Sequence, residues 1–350
     1  MPGVRMGIDI CQGRFLTFVI HASHGDKYFA FMKMKANNTG FSRLALPLVL
    51  IIAVTATGYA QDPVLPPTNL GLASVYDGMA GKPGFIYQGF LQAFATRAYY
   101  DQDGKRTPSD IKINSVLLMN QVLYLSPLKV LGGNVGFTVL VPIVQISSSS
   151  ASGAAPTTNT GALGDPIAGV AVQWSDKELF GKPYSHRLEF DLGVPLGNFD
   201  SRYAINPSAH LWSYEMYYAL TIILNKKISI SSRNELNYNS DIIGSEAKPG
   251  AFYNGSYSID YSILPSVKIE AVSYYLKQLV QDSYDGDHHY YQDRFGITDT
   301  KERVFAVGPG LAFFSPRGII FEGKVFFETD GQNRFVGTRT SLRVTIPLYK

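Results

Sequence analysis

The feature that most constrains the fold is a period-two alternation of apolar and polar residues over long stretches of the chain. From Trp212 to Leu224 the even positions are aromatic or aliphatic, whereas the odd positions include Ser213, Glu215 and Thr221. Successive side chains of a β-strand point to opposite faces, so this stretch predicts a strand with one apolar and one polar face. The same alternation recurs at 187–194, 253–263, 319–329 and 336–348.

The alternating stretches are too long for ordinary globular strands. Most of them exceed the roughly 9–11 residues that a tilted strand needs to cross a membrane, whereas globular strands average about 5–6. Alternation is less regular in the second, third and tenth of the predicted strands, so it stays open which of their side chains face inward. We predict twelve strands, at 85–100, 111–125, 134–146, 165–174, 185–197, 208–224, 226–238, 250–263, 267–278, 301–314, 318–329 and 335–348.

Composition agrees with strands that have one apolar and one polar face. Charged residues make up 17% of the chain, less than the roughly 25% of soluble domains, and the mean hydropathy is +0.00. These values would also fit a soluble β-sandwich, so strand length decides between the two. The predicted fold class is all-β, a transmembrane antiparallel β-barrel of about 12 strands.

The connections between predicted strands alternate in length. Tight turns fall at Asn225-Lys226, Leu264–Ser266 and Ser315–Arg317, while longer polar loops fall at 147–164, 239–249 and 280–300. Bacterial outer-membrane barrels have short periplasmic turns and long outward loops, and an even strand number brings both ends to the periplasm.

The N-terminal region has the order of a secretory signal. Lys35 and Arg43 precede an apolar core, Leu44–Val54, and the small residues Gly58 and Ala60 follow it. The core is shorter than the roughly 20 residues of a spanning helix. A buried core helix is the alternative reading.

These features divide the chain into four parts. We expect residues 1–33 to be an over-long extension before a true start at Met34, and residues 34–60 to be a signal peptide that is removed before Gln61. Residues 61–84, rich in Pro and Gly, are expected to form a periplasmic N-terminal arm or partial plug. Residues 85–350 are expected to form the barrel, placed in the outer membrane of a Gram-negative bacterium.

The net charge of +3 comes from the leader. Its first 60 residues hold six Lys/Arg and two acidic residues, which leaves 25 basic and 26 acidic residues of the total 31 and 28. The remainder has no basic excess that would favour nucleic acid. Cys11 is the only cysteine, so we expect no disulfide and no cysteine-based metal site in the barrel.

Alternation also predicts which charged side chains face the lumen. They could form a polar path for a solute or an interior ion-pair network that fills the barrel. A conducting or gated lumen and a mostly plugged one therefore both remain open. The predicted lumen-lining residues are Arg187, Glu189, Asp191, Glu215, Arg233, Glu235, Asp260, Glu322, Lys324, Glu328, Arg339 and Arg343.

Two clusters could carry other chemistry. Glu189 and Asp191 share a strand face, as paired catalytic carboxylates might, but Arg187 on that face favours mutual neutralisation. The segment 282–289 holds oxygen and imidazole ligands, yet its spacing does not match a calcium loop, so a solvated outer loop is expected. We predict no catalytic residues, no metal and no cofactor.

An outer-membrane lipid hydrolase is the rival class, because such enzymes are also barrels. It needs a serine near a histidine, and only His186, His210, His288 and His289 follow the leader. No G-x-S-x-G motif occurs, and His210 and Ser213 fall on opposite faces of their strand. His186 could still meet a serine of another strand. A structural barrel without transport is a third alternative.

Short motifs spread along the chain resemble one family. They are PPTNLGLASVYDGMAGKPGFIYQGFLQAF (66–94), VLGGNVGFTVLVPIV (130–144), GALGDPIAGVAVQW (161–174), ELNYN (235–239), VGPGLAF (307–313) and NRFVGTRTSLRVTIPL (333–348). The chain resembles the transporter-like outer-membrane barrels described as involved in the meta-pathway of phenol degradation. A departure is the C-terminus, where Lys350 follows Tyr349, whereas barrel proteins usually finish on an aromatic residue.

The resemblance implies an outer-membrane channel for uptake of small, often aromatic or hydrophobic compounds. It implies no set of functional residues. The partners expected from it and from the strand pattern are outer-membrane lipid, a small-molecule solute and the outer-membrane assembly machinery, with no nucleic acid.

Overall fold

A computed structural model of the protein describes residues 6–9, 17–20, 70–72 and 75–348. The predicted signal peptide at 34–60 with its start at Met34, residues 61–69 of the expected arm, and Tyr349 and Lys350 lie outside the described residues. The chain divides into two units, Met1–Thr57 and Gly58–Lys350. In the first unit, Met6–Asp9 and Thr17–Ile20 form a small antiparallel hairpin.

The second unit contains twelve long strands. They are β1 (Gly84–Tyr100), β2 (Lys112–Val130), β3 (Gly133–Ser149), β4 (Ile167–Leu179), β5 (Lys182–Gly193), β6 (Ser213–Ile223), β7 (Ile228–Asn239), β8 (Phe252–Leu264), β9 (Val267–Gln278), β10 (Arg303–Phe314), β11 (Ile320–Gln332) and β12 (Arg334–Pro347). The connections add three two-residue strands, Arg106–Thr107, Ala247–Lys248 and Ser283–Tyr284, and one short helix, α1 (Tyr290–Phe295).

The twelve strands close into a barrel. Each pairs antiparallel with the next along the chain, and β12 returns to pair with β1 from Arg334↔Tyr100 to Pro347↔Ile86. Closure gives every long strand two neighbours, which removes the exposed sheet edges that would otherwise invite aggregation. The structure therefore confirms the predicted fold of about twelve antiparallel strands.

Two strands run further than the alternation predicts. β2 continues to Val130 and β4 to Leu179, past register shifts at Leu125/Lys129 and Trp174/Lys177. A bulge adds a residue to one strand and breaks the period-two pattern, so the predicted strand ends at the bulge. Both strands then turn through two residues of positive φ, Leu131-Gly132 and Phe180-Gly181, as type I′ hairpins require.

The two rims of the barrel differ in the length of their connections. One rim has the short turns 131–132, 180–181, 224–227, 265–266 and 315–319. The other has the longer connections 101–111, 150–166, 194–212, 240–251 and 279–302, with Asn333 alone between β11 and β12. We call these the short-turn rim and the long-loop rim.

The outer surface of the barrel is strongly apolar. Phe137, Val139, Tyr214, Ile259 and Leu342 each expose between 50 and 53% of their surface. Their strand neighbours on the other face are buried, as in Leu140 and Glu215. A continuous apolar face around a closed barrel requires an apolar solvent. No helix in the described part of the chain is long and apolar enough to cross a membrane.

Gly308 of β10 is required by close strand contact. A Cβ built there would lie 1.6 Å from the Val325 carbonyl oxygen, and a backbone atom cannot move aside. We expect Gly308→Ala to lower the free energy of unfolding by about 3 kcal/mol, the upper end of the usual overpacking cost. The measurement is the urea midpoint of the barrel refolded in lipid.

Gly136 provides the matched control, because its added Cβ would meet its nearest neighbour, the Ala171 Cβ, at 3.6 Å. Gly136→Ala should leave the midpoint nearly unchanged. Equal midpoints for the two variants would contradict the close approach of β10 and β11.

Candidate functional site

The interior of the barrel is the place where polar chemistry collects. Eleven of the twelve charged residues that alternation assigned to the lumen are buried, and the side chain of the twelfth, Arg233, is 13% exposed. They fall into two groups. The first group lies on β5–β7 and comprises Arg187, Glu189, Asp191, Glu215, Arg233 and Glu235. The second group lies on β8, β11 and β12 and comprises Asp260, Glu322, Lys324, Glu328, Arg339 and Arg343.

Five of the six residues of the second group form ion pairs with one another. Glu322 pairs with Lys324 Nζ through Oε1 at 2.8 Å and with Arg343 Nε through Oε2 at 2.7 Å. Glu328 pairs with Arg339 at 3.2 Å. This part of the interior is an ion-pair network, which was one of the two alternatives for the lumen charges.

The charges of this wall that sequence reasoning missed include Lys268 and Glu270 of β9, which are both buried. Glu270 lies directly opposite Asp260 in the register of β8 and β9. The signal that could have found them was present, because both occupy even positions of a strand whose odd residues Ile269 and Ala271 are exposed.

A segment before β1, residues 70–72 and 75–80, lies among the inward side chains; we call it the lumen segment. Its anchor is Asp77, which accepts two hydrogen bonds of 2.8 Å from Arg233 Nε and NH2. Arg187 NH1 donates to the Asp77 carbonyl oxygen at 3.1 Å. Contact with the Arg233 guanidinium favours the ionised form of the Asp77 carboxyl group.

The backbone of the lumen segment is held by side chains from many strands. Because these strands lie on opposite sides of the barrel, the segment crosses the interior. The bonds are Val75 N to Glu322 Oε1 (3.3 Å), Tyr76 N to Ser231 Oγ (3.1 Å), Gly78 N to Thr221 Oγ1 (2.9 Å), Gln173 Nε2 to the Gly78 oxygen (2.8 Å) and Gln92 Nε2 to the Leu70 oxygen (3.0 Å).

Apolar side chains of the lumen segment also pack against the wall. Leu70 joins Phe252, Tyr274, Leu276 and Phe326 in one cluster. Leu72 packs with Phe90, Met119, Leu140 and Ile167, and Ala80 with Ile86, Leu123 and Leu125. Burying these residues stabilises the segment inside the barrel by removing apolar surface from water.

The inner face of β1–β3 is mostly apolar, in contrast to the charged face of β5–β7. Its buried residues include Phe90 and Phe94 of β1, Met119 of β2 and Leu140 and Val144 of β3. A strand that is apolar on both faces has no clear alternation. This explains why the sequence did not fix the facing of the second and third strands.

The long-loop rim is covered by two connections that bind each other. Ile205 of 194–212 packs on Ile113, Val144 and Ile146 inside the barrel, and bridges to Thr158 of 150–166. Asp165 holds the pair together, because its carboxylate accepts from Ser208 Oγ at 2.7 Å, Gly197 N at 3.0 Å and Ala209 N at 2.9 Å.

Polar groups of the loop at 282–289 bond to the loop itself and to neighbouring residues. Asp282 Oδ1 accepts from Gly250 N at 2.9 Å, Asp287 Oδ1 accepts from His289 N at 2.8 Å, and His288 Nδ1 lies 3.1 Å from the Gln281 oxygen. Within residues 70–72 and 75–348, no three His, Cys, Asp or Glu side chains converge as a metal site requires.

The residues considered for catalysis have other partners. Glu189 accepts from Arg187 Nε at 2.7 Å and from the Tyr217 hydroxyl. The His186 ring stacks on Trp174 with ring centroids 4.8 Å apart and on Tyr184 at 5.4 Å. Its strand neighbours Ser185 and Arg187 are buried inside, so His186 belongs to the outward face.

The sequence matches a family model described as "Putative MetA-pathway of phenol degradation" over residues 96–344, from the last residues of β1 into β12. The chain belongs to this family. The match confirms the resemblance seen in the sequence motifs. No curated protein matches the chain in sequence.

Solved structures of outer-membrane proteins are similar to this chain to different degrees. An outer membrane channel from Pseudomonas putida F1 is similar with a TM-score of 0.67 and 17% identity, covering 78% of this chain and 99% of that one. Weaker likenesses are the CymD monoaromatic hydrocarbon channel (TM-score 0.40, 8% identity, 77% and 90% covered) and the KdgM porin (0.37, 11%, 75% and 99%). The first of these confirms the fold.

Proposed function

We propose that the protein is an outer-membrane channel for the uptake of small aromatic or hydrophobic compounds. The observation that carries the proposal is the division of the barrel interior into an apolar wall on β1–β3 and a charged wall on β5–β7. A flat solute with an apolar ring and a polar substituent could contact both walls at once. Family membership supports the same conclusion.

The location is part of the proposal. The apolar outer face and the two unequal rims support insertion in an outer membrane with the short-turn rim in the periplasm. Export by a cleaved signal at 34–60 and insertion by the outer-membrane assembly machinery of a Gram-negative bacterium would bring the chain there.

The lumen segment is proposed to act as the plug of the channel. It crosses the interior and is bonded to strands on opposite sides, so a solute must displace it or pass beside it. It is anchored at Asp77, whose carboxylate is held by Arg233 and whose carbonyl oxygen is held by Arg187, and this residue gives a discrete point of release. This reading favours a gated lumen over a permanently filled one.

The experiment is initial uptake of a labelled monoaromatic compound by cells with and without the protein. We expect faster uptake with the protein. Cysteines replacing Tyr76 and Ser231 give the matched control, because the Tyr76 amide donates to Ser231 Oγ at 3.1 Å and the two residues are therefore neighbours. Loss of free thiols on oxidation checks that the disulfide has formed. The oxidised variant should lose the gain and regain it on reduction. Equal uptake with and without the protein would favour a structural barrel.

A hydrolase is not favoured by the surroundings of His186, which are aromatic rings on the outward face. The purified protein should release no fatty acid from phospholipid vesicles, and His186→Ala should change nothing. Ester hydrolysis that disappears in His186→Ala would contradict this assignment.

A further inference from the structure

The wall formed by β5–β7 places carboxylates side by side. In the strand register, Asp191 lies directly opposite Glu215, and Glu215 lies directly opposite Asn237. One step nearer the short-turn rim, Glu189 and Glu235 flank Tyr217 on either side. Like charges directly opposite each other on one sheet face are destabilising. This row therefore needs a positive or hydrogen-donating partner.

Several oxygens of the row have no donor. They are Asp191 Oδ1, Glu215 Oε2 and Asn237 Oδ1; Asn254 Oδ1 of β8, which lies opposite Glu235 one step nearer the short-turn rim, also has no donor. Asn237 is only 2% exposed, and its amide nitrogen donates to Ser213 Oγ at 2.7 Å and weakly to Glu215 Oε1 at 3.4 Å. The Asn237 amide nitrogen therefore donates within the row, whereas the amide oxygen accepts no hydrogen bond. Buried acceptors without donors cost free energy, and a bound donor would remove that cost.

The cations nearest this row are already engaged. Arg187 donates to Glu189 and to the Asp77 oxygen, and Arg233 holds the Asp77 carboxylate. Counted with Asp77, the wall has more carboxylates than guanidinium groups; the acids are Asp77, Glu189, Asp191, Glu215 and Glu235, and the bases are Arg187 and Arg233. The opposite wall is balanced by its own ion pairs.

We propose that Asp191, Glu215, Asn237 and Asn254 form a binding site for the ammonium group of a small aromatic amine, and that the passage discriminates against aromatic carboxylates. The side-chain oxygens left without a donor are all acceptors, which match the donors of an ammonium group. No three carboxylate or imidazole groups of the described residues converge on a metal position, which favours an organic cation. The inference deepens the proposed function and rests on it for its role in passage.

The experiment measures binding of benzylammonium and benzoate to the detergent-solubilised full chain by equilibrium dialysis. Benzylammonium should bind and benzoate should not. Asp191→Asn with Glu215→Gln keeps the side-chain shapes and removes both charges, and should weaken benzylammonium binding by about tenfold. Asp103→Asn with Glu178→Gln removes two exposed charges and should leave binding unchanged.

Three outcomes would overturn the inference: unchanged benzylammonium binding in the double variant, equal binding of benzoate, or displacement by potassium chloride but not by choline chloride of the same ionic strength. The last would make the occupant an inorganic cation. If the double variant fails to fold, Asp191→Asn alone should weaken binding about threefold. Binding without any effect of the protein on cellular uptake would instead count against the channel.

Discussion

Deleting residues 70–80 is expected to raise the single-channel conductance of the barrel in a planar bilayer by at least about tenfold. Conduction needs a continuous wet path, and a filled barrel interior offers none. The segment contributes no strand to the barrel, so the twelve-strand ladder should remain closed.

The comparison for this deletion is the full chain with the cysteine lock at Tyr76 and Ser231. Oxidation should bring its conductance to the lowest level of the series, and reduction should restore the level of the unmodified chain. A deletion variant that folds in lipid yet conducts no better than the full chain would show that residues 70–80 are not what closes the passage.

Reversing the charge of Asp77 should have the second largest effect. Asp77→Arg places a third guanidinium against Arg187 and Arg233, in a contact whose side chains are only 5% and 13% exposed for Asp77 and Arg233. Breaking a buried ion pair usually costs about 3–5 kcal/mol. We expect the lumen segment to detach from Arg187 and Arg233. A cysteine placed at position 76 should then react with a bulky maleimide, and this reaction measures the detachment.

The charge swap tests the specificity of that contact. Asp77→Arg combined with Arg233→Asp restores one opposite-charge pair and should again protect the cysteine at position 76 from most of the maleimide. If the maleimide reacts no faster in Asp77→Arg alone, the backbone bonds to Ser231 and Thr221 hold the segment without the ion pair.

Most of the barrel could be predicted because the outer face of a strand is apolar and its inner face is mostly polar. In β6 the outward Tyr214 and Met216 and the inward Ser213 and Glu215 differ so strongly that strand, period and facing follow from the sequence. The same contrast predicts that twelve charged residues face the lumen, of which eleven are buried and Arg233 is 13% exposed. It failed for β2 and β3, since Met119 and Leu140 are apolar residues on the inner face.

Other features depend on contacts between distant parts of the chain. Asp77 meets Arg233 across 156 positions, and no local pattern encodes that pairing. The inward packing of Ile205 on Ile113 likewise depends on how a long loop folds over a finished barrel. Pro and Gly before β1 indicated an irregular segment, but not that side chains from both sides of the interior would bind its backbone.

In a transmembrane barrel, lipid surrounds one face of every long strand and the barrel encloses the other face. Since Cys11 is the only cysteine, single spin-labelled cysteines can be placed along β6 in a variant that lacks it. In lipid vesicles, labels at 214, 216, 218 and 220 should be relaxed by oxygen, and labels at 213, 215, 217 and 219 should not. Water-soluble nickel reagents reaching the even positions as readily as a loop residue would contradict a membrane-embedded barrel.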